Sequence, residues 1–361
     1  MTVLDQLKML FGRPPVSAMA GTAAVKPRRR PPTHHEKAVQ KQLDELRRRR
    51  RERFRILVCI DGSEEANEAL RMAAYLGRPD ECDIILLYVR HVDHGLASGG
   101  LQVRVARQNM LDWGIELPGI RDLREGLELL KSEGMTLEGW TYSIAHTDVW
   151  GDPLGDIKVE YRDETTGRSI VLKLKTAPDT ASGILDQYEL GPYNLMILGE
   201  SSRWHSEFRS IFFGGSVVQK VAMLAPCSVL VARKGSHQKT GFFICTDGSA
   251  RSTDGVKRAA VLAKTCGAPI TLFAVAPTLK GRPFAREAVE NARALLKSMR
   301  IEVAHVKVAV GDPAEQIVRH GANYKLIVVS DEGRTRLQRV FKGSVSYEVV
   351  RDARTSVLDV R

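Results

Sequence analysis

The chain is written twice. Phe54-Arg-Ile-Leu-Val-Cys-Ile-Asp-Gly-Ser63 returns 186 residues later as Thr240-Gly-Phe-Phe-Ile-Cys-Thr-Asp-Gly-Ser249. Gly215-Ser-Val-Val-Gln-Lys-Val221 returns as Gly343-Ser-Val-Ser-Tyr-Glu-Val349, and Ser228-Val-Leu-Val-Ala-Arg233 as Ser356-Val-Leu-Asp-Val-Arg361. Each copy opens with an apolar strand ending in Asp-Gly-Ser and closes with a Gly-Ser helix start and a last strand. A long repeat in constant order requires two like domains. The offset also locates what differs. It falls from 186 to 131 where Asn194-Leu-Met-Ile-Leu198 matches Lys325-Leu-Ile-Val-Val329, and to 128 from Gly215 onward. Copy one therefore carries 55 extra residues in its middle and three more in the loop after that strand.

Within copy two the apolar pattern alternates between strand and helix. Strands are expected at 242–246, 269–275, 302–310, 326–330 and 356–360, with helices at 250–266, 284–299, 314–321 and 343–351. Near-continuous Val/Ile/Leu strands between helices predict a parallel sheet covered on both faces. Copy one starts and ends alike, with strands at 55–60, 83–89 and 194–198. Its middle holds Ile157-Lys-Val-Glu-Tyr-Arg162 and Ser169-Ile-Val-Leu-Lys-Leu-Lys175, both of period two and separated by a plausible turn. This predicts an inserted β-hairpin whose apolar face covers the host domain or a partner. The expected organisation is an arm at 1–53, a first domain at 54–234 with an insertion around 91–190, and a second domain at 240–361.

Charge separates the arm from the domains. Of the net +11, residues 1–55 hold fifteen Lys/Arg against five Asp/Glu, which leaves the rest near neutral. Pro14, Pro15, Pro27, Pro31 and Pro32 disfavour packing there, whereas 36–53 contain only helix-compatible residues. Val3, Leu4, Leu7, Leu10 and Phe11 share one helical face. Arg47, Arg48, Arg49, Arg50 and Arg51 form an unbroken run suited to a polyanion, either nucleic acid or an anionic membrane face. A solvated leader is the plainer alternative. No segment approaches the roughly 18 to 20 apolar residues of a membrane span, and Met1 to Phe11 lack the pattern of a secretory signal. Cys59, Cys82, Cys227, Cys245 and Cys266 form no C-x-x-C pair, and four lie in or beside apolar strands. They read as reduced packing residues, which predicts a cytoplasmic protein. The histidines show no zinc-ligand spacing.

In an open parallel sheet, ligands bind where strands end and helices begin. Three features of copy two converge there: Asp247-Gly-Ser249, the loop Ser330-Asp-Glu-Gly333, and Gly343-Ser344 at the last helix. Glycine permits close backbone approach to a phosphate, and free N–H groups at a helix start favour negative charge. Arg334, Arg336 and Lys342 add positive charge nearby.

At these residues the chain resembles the universal stress protein family. Nucleotide-binding members carry Gly-x2-Gly-x9-Gly-[Ser/Thr] between strand four and the last helix. Ser330-x2-Gly333-x9-Gly343-Ser344 keeps that spacing with serine in the first place. Gly311-Asp-Pro-Ala-Glu-Gln-Ile317 and Leu326-Ile-Val-Val329 resemble the flanking segments. The resemblance implies two tandem α/β sandwiches, Rossmann-like and related to the adenine-nucleotide hydrolases. It implies ATP or AMP in copy two, with Asp247 and Val275 at the adenine and ribose and Gly333, Gly343 and Ser344 around the phosphates. Ser330 is the departure, because its side chain crowds the ribose and phosphates. In copy one Asp61, Val89 and Gly215-Ser216 survive, but the loop is longer, has serine for the second glycine, and carries Glu200 and Glu207. A poor nucleotide site is expected there. The family's last strands pair antiparallel between domains, so 228–233 and 356–361 are expected to pair within one chain, with Asp359 limiting further edge pairing. Association of two chains as a homodimer stays open.

The function so implied is a stress-related binding or regulatory module. Two alternatives stand beside it. One is a slow ATPase, for which Asp331 and Glu332 are the local candidate bases. The other is a scaffold that binds polyanions through the arm. A structural turn and helix cap at Asp247-Gly-Ser249 and Gly343-Ser344 requires no ligand at all.

Overall fold

A computed structural model describes residues 52–91, 119–149, 152–189, 193–200, 217–330 and 344–361. The arginine run at 47–51, the copy-one loop with Glu207, Gly215 and Ser216, and residues 331–343 lie outside the described residues.

The first half runs β1 (Phe54–Ile60), α1 (Glu64–Leu76), β2 (Cys82–His91), α2 (Ile120–Ser132), β3 (Thr141–Val149), β4 (Asp152–Arg162), β5 (Ser169–Ala177), α3 (Thr180–Glu189), β6 (Leu195–Gly199), α4 (Val217–Leu224) and β7 (Ser228–Ala232). The second runs β8 (Thr240–Cys245), α5 (Ala250–Thr265), β9 (Ile270–Ala276), α6 (Arg282–Ser298), β10 (His305–Val310), α7 (Pro313–Gly321), β11 (Tyr324–Ser330), α8 (Val345–Asp352) and β12 (Ser356–Val360). All these strands belong to one sheet in the order β10-β9-β8-β11-β12-β7-β6-β1-β2-β5-β4-β3. Within each half the repeat-derived strands run parallel. Where the halves meet, β12 lies antiparallel to β7, with Leu358 opposite Leu230.

Strand alternation divides the core into two layers. Ile56 and Val58 face the layer packed by α1, α2, α5 and α6, with Leu70, Leu127, Val256 and Val289. Leu57 and Cys59 face the layer packed by α3, α4, α7 and α8, with Ile184, Val221, Ile317 and Val349. Helices after the first two strands of each copy thus cover one face, and later helices cover the other. Both faces being apolar is why these strands read as unbroken hydrophobic runs. The five cysteines are free, and four are buried. Burial pushes the Cys82 and Cys227 thiols up to about 12, so they are packing residues at neutral pH.

Three expectations need correction or extension. The predicted hairpin strands are β4 and β5, but β5 is the domain's own third strand, parallel to β2. The added strands are β4 and β3, and β3 carries only a short alternation at Tyr142 and Ile144 because residues 141–147 are exposed. Finally, Asp359 guards no edge. β12 lies inside the sheet, and Asp359 is buried with its carboxylate 3.0 Å from the Arg361 guanidinium.

The segment joining the halves is tied to both. His237, in the 3-10 turn Ser236–Gln238, donates its backbone N–H to Glu68 of α1 at 2.6 Å. Its ring Nδ1 lies 2.6 Å from the other Glu68 oxygen. Ser236 Oγ accepts the Ser356 N–H at 2.9 Å, and Lys325 Nζ donates to the His237 carbonyl at 2.7 Å. Tyr75 donates its hydroxyl to the Cys266 carbonyl across the same junction.

Candidate functional site at the strand ends

Copy two has its topological switch between β8 and β11, which are direct neighbours with Val328 opposite Ile244. Chain leaving β8 enters α5 on one face, and chain leaving β11 leads toward α8 on the other. A crevice at this point is the general ligand position of such sheets.

The turn after β8 is a closed hydrogen-bond system. Ser249 caps α5 by accepting the Ser252 N–H at 3.1 Å. Asp247 accepts the Ser249 N–H at 2.9 Å. Buried Thr246 meets the Ser252 hydroxyl at 2.9 Å and accepts the Gly248 N–H at 3.1 Å. Gly248 holds φ at +81°, a left-handed conformation that a side chain would strain. Asp247 itself is exposed at the rim. Partial desolvation would raise its pKa, but hydrogen bonds from Ser252 and Ser249 outweigh this and hold it below the ordinary aspartate value. It is an anion at neutral pH and an acceptor for hydroxyl or amine donors. Sequence reading overlooked Thr246 and Ser252, whose counterparts in copy one are the apolar Ile60 and Ala66. That paired substitution was the available signal.

Ser330 ends β11 beside this turn, and its side chain is directed at α5, where Gly255 leaves room for the hydroxyl. Val275 lies near the end of β9, half-buried. Ser344 caps α8 by accepting the Tyr347 N–H at 3.1 Å. Gly333 and Gly343, with Asp331 and Glu332, lie outside the described residues.

Copy one has the same turn in a different setting. Ser63 caps α1, and Asp61 accepts both the N–H and the hydroxyl of Ser63. Asp61, however, is only 8% exposed. Asp122 of α2 sits over the turn: a β-carbon added to Gly62 would lie 2.6 Å from its carboxylate oxygen. In copy two the corresponding neighbour of Gly248 is the neutral Ala288 of α6, at 3.1 Å by the same measure. Glu200 pairs with Arg233. Among the described residues, copy one thus places a second carboxylate at this turn, and copy two does not.

An open, mostly parallel sheet with a capped Asp-Gly-Ser turn at its switch point, built twice, defines a Rossmann-like α/β protein of two like domains. The chain belongs to the universal stress protein family, whose sequence profile matches residues 52–118 and 242–361. Among solved structures, a universal stress protein from Archaeoglobus fulgidus DSM 4304 aligns over 85% of this chain and 98% of its own, at 17% identity and a TM-score of 0.54. A protein described as a putative universal stress protein from Pseudomonas aeruginosa UCBPP-PA14 aligns over 85% and 92%, at 14% identity and a TM-score of 0.51. At these identities the likeness establishes the fold. No curated protein matches the chain. Among the described residues no helix is long and apolar enough to cross a membrane.

Proposed function

We propose that this chain is a tandem universal stress protein of the cytoplasm in which the second domain (240–361) binds an adenine nucleotide, ATP or AMP, and the first (54–234) does not. The observation that carries the reading is the asymmetry at the two equivalent turns. Asp247 is exposed with neutral Ala288 beside its turn, whereas Asp61 is buried with the Asp122 carboxylate beside its own. A second carboxylate at that turn crowds the nucleoside end and repels an approaching anion, and among the described residues the turn of the second domain has none beside Asp247.

In this reading Asp247 and Val275 hold the nucleoside end. Gly333, Gly343 and Ser344 hold the phosphates, with the start of α8 contributing N–H groups. Ser330 is compatible because its hydroxyl is accommodated against Gly255 rather than over the crevice. The role is binding and regulation, the join through β7 and β12 fixing the two domains to each other.

Equilibrium binding of labelled ATP and AMP to the full chain and to Gly333→Val tests the proposal. Saturable binding by the wild type, weakened at least about tenfold by Gly333→Val, is expected. Absence of saturable binding by the wild type overturns it.

A further inference from the structure

The two domains handle the same sheet edge in opposite ways. In the first, the third parallel strand, β5, is covered by β4, which pairs antiparallel from Ile157 opposite Leu174 to Arg162 opposite Ser169. In the second, the equivalent strand, β10, ends the sheet among the described residues. An edge strand presents a row of backbone N–H and C=O groups that a further strand can satisfy. The fold therefore contains one worked instance of strand addition at this position and one uncovered counterpart.

The surroundings of β10 select a partner by charge. A groove of about 490 Å³ runs between α6 and β10, with an apolar floor that includes Val289, Val306 and Val308. Arg282, Arg286 and Arg293 wall it along α6. Their spacing keeps them on one side of the helix. Glu290 is the carboxylate of the groove and lies 3.9 Å from Arg293. On the sheet's other face His305 and Lys307 are exposed, with Lys307 Nζ 3.1 Å from the Tyr324 hydroxyl. A strand laid along β10 would project alternate side chains to both faces, and both are basic.

We propose that β10 is a docking edge for an extended acidic segment of a partner protein. The segment joins the sheet as a further strand. Its carboxylates pair with Arg282, Arg286 and Arg293 on one face or Lys307 on the other, while its intervening apolar side chains enter the groove. The first domain supplies the precedent, since β4 also brings a carboxylate to its neighbour: Asp156 accepts the Thr176 N–H at 2.7 Å. A second copy of this chain is disfavoured, because pairing β10 with itself sets Lys307 and His305 against like charges. The chain's own arginine-rich leader is excluded on the same ground. A nucleic acid could meet the arginines but offers no alternating backbone partners to the strand.

The test uses the full chain and a fluorescent peptide of alternating valine and glutamate long enough to span β10, with an alternating valine–lysine peptide as control. The expected result is saturable binding of the glutamate peptide only, with slowed amide exchange at 305–310. Charge reversal by R286E/R293E, two exposed helix positions, should weaken binding about tenfold or more while leaving the circular dichroism unchanged. No saturable binding overturns the proposal. So does binding that R286E/R293E leaves unchanged, which is the result expected if the peptide sits on residues 47–51. Protection confined to other segments also overturns it. Displacement of the peptide by an oligothymidylate that itself protects 305–310 would assign the edge to nucleic acid instead.

Discussion

The Ser330 hydroxyl occupies the space that a β-carbon on Gly255 would need. The contact joins the end of β11 to the middle of α5 and is a compensated pair. In copy one the strand residue is Gly199, which lies against the backbone of Glu65 and Ala66, and the helix residue matching Gly255 is Ala69. The side chain has moved from helix to strand. Gly255→Ala should therefore destabilise the protein by about 1–3 kcal/mol through overpacking. Adding Ser330→Gly should recover most of that loss, giving a coupling of roughly 1 kcal/mol or more in a urea double-mutant cycle. Additive losses would mean the two residues do not share the space.

Glu68 is 1% exposed and is satisfied by the N–H and ring of His237 from the connecting segment. Glu68→Ala removes the acceptor of both and should cost about 2–3 kcal/mol. Glu68→Gln keeps an acceptor for the His237 N–H and should cost less. Denaturant unfolding of the three proteins checks the order; equal stabilities would show that the Glu68–His237 contact holds nothing.

Glu160 of β4 loses solvent on folding, which raises its pKa, yet hydrogen bonds from Lys158 and Arg162 prevail and lower it to about 2. A carboxyl depressed on folding stabilises the native state above its unfolded pKa, and the gain is lost as pH falls through the folded value. Wild-type stability should thus decline more steeply than that of Glu160→Gln between about pH 4.5 and pH 2, and the two slopes should agree above pH 5. Urea midpoints across that range decide it, and parallel curves throughout would contradict the assignment.

The repeat made most of the fold legible. Strands β8, β9, β11 and β12 and helices α5, α6, α7 and α8 lie within a few residues of their expected positions, because apolar period and caps such as Ser249 and Asp312 are local signals. β3 is only weakly marked in sequence because residues 141–147 are exposed, so burial imposes no apolar face on them and Tyr142 and Ile144 are the sole trace of period two there. β5 was legible as a strand but not as the domain's own third strand, since its neighbour β2 is distant in sequence. At the site, Asp247 and Ser344 could be placed from sequence as turn and cap residues. The difference between the two turns could not, because Asp122 and Ala288 approach them from other helices.

Calorimetric titration of ATP and AMP into the full chain, into Asp247→Ala and into Asp61→Ala bears most directly on the functional account. One saturable site per chain is predicted, abolished by Asp247→Ala and retained in Asp61→Ala. A wild type without saturable heat, or a site lost with Asp61→Ala and kept with Asp247→Ala, would contradict it.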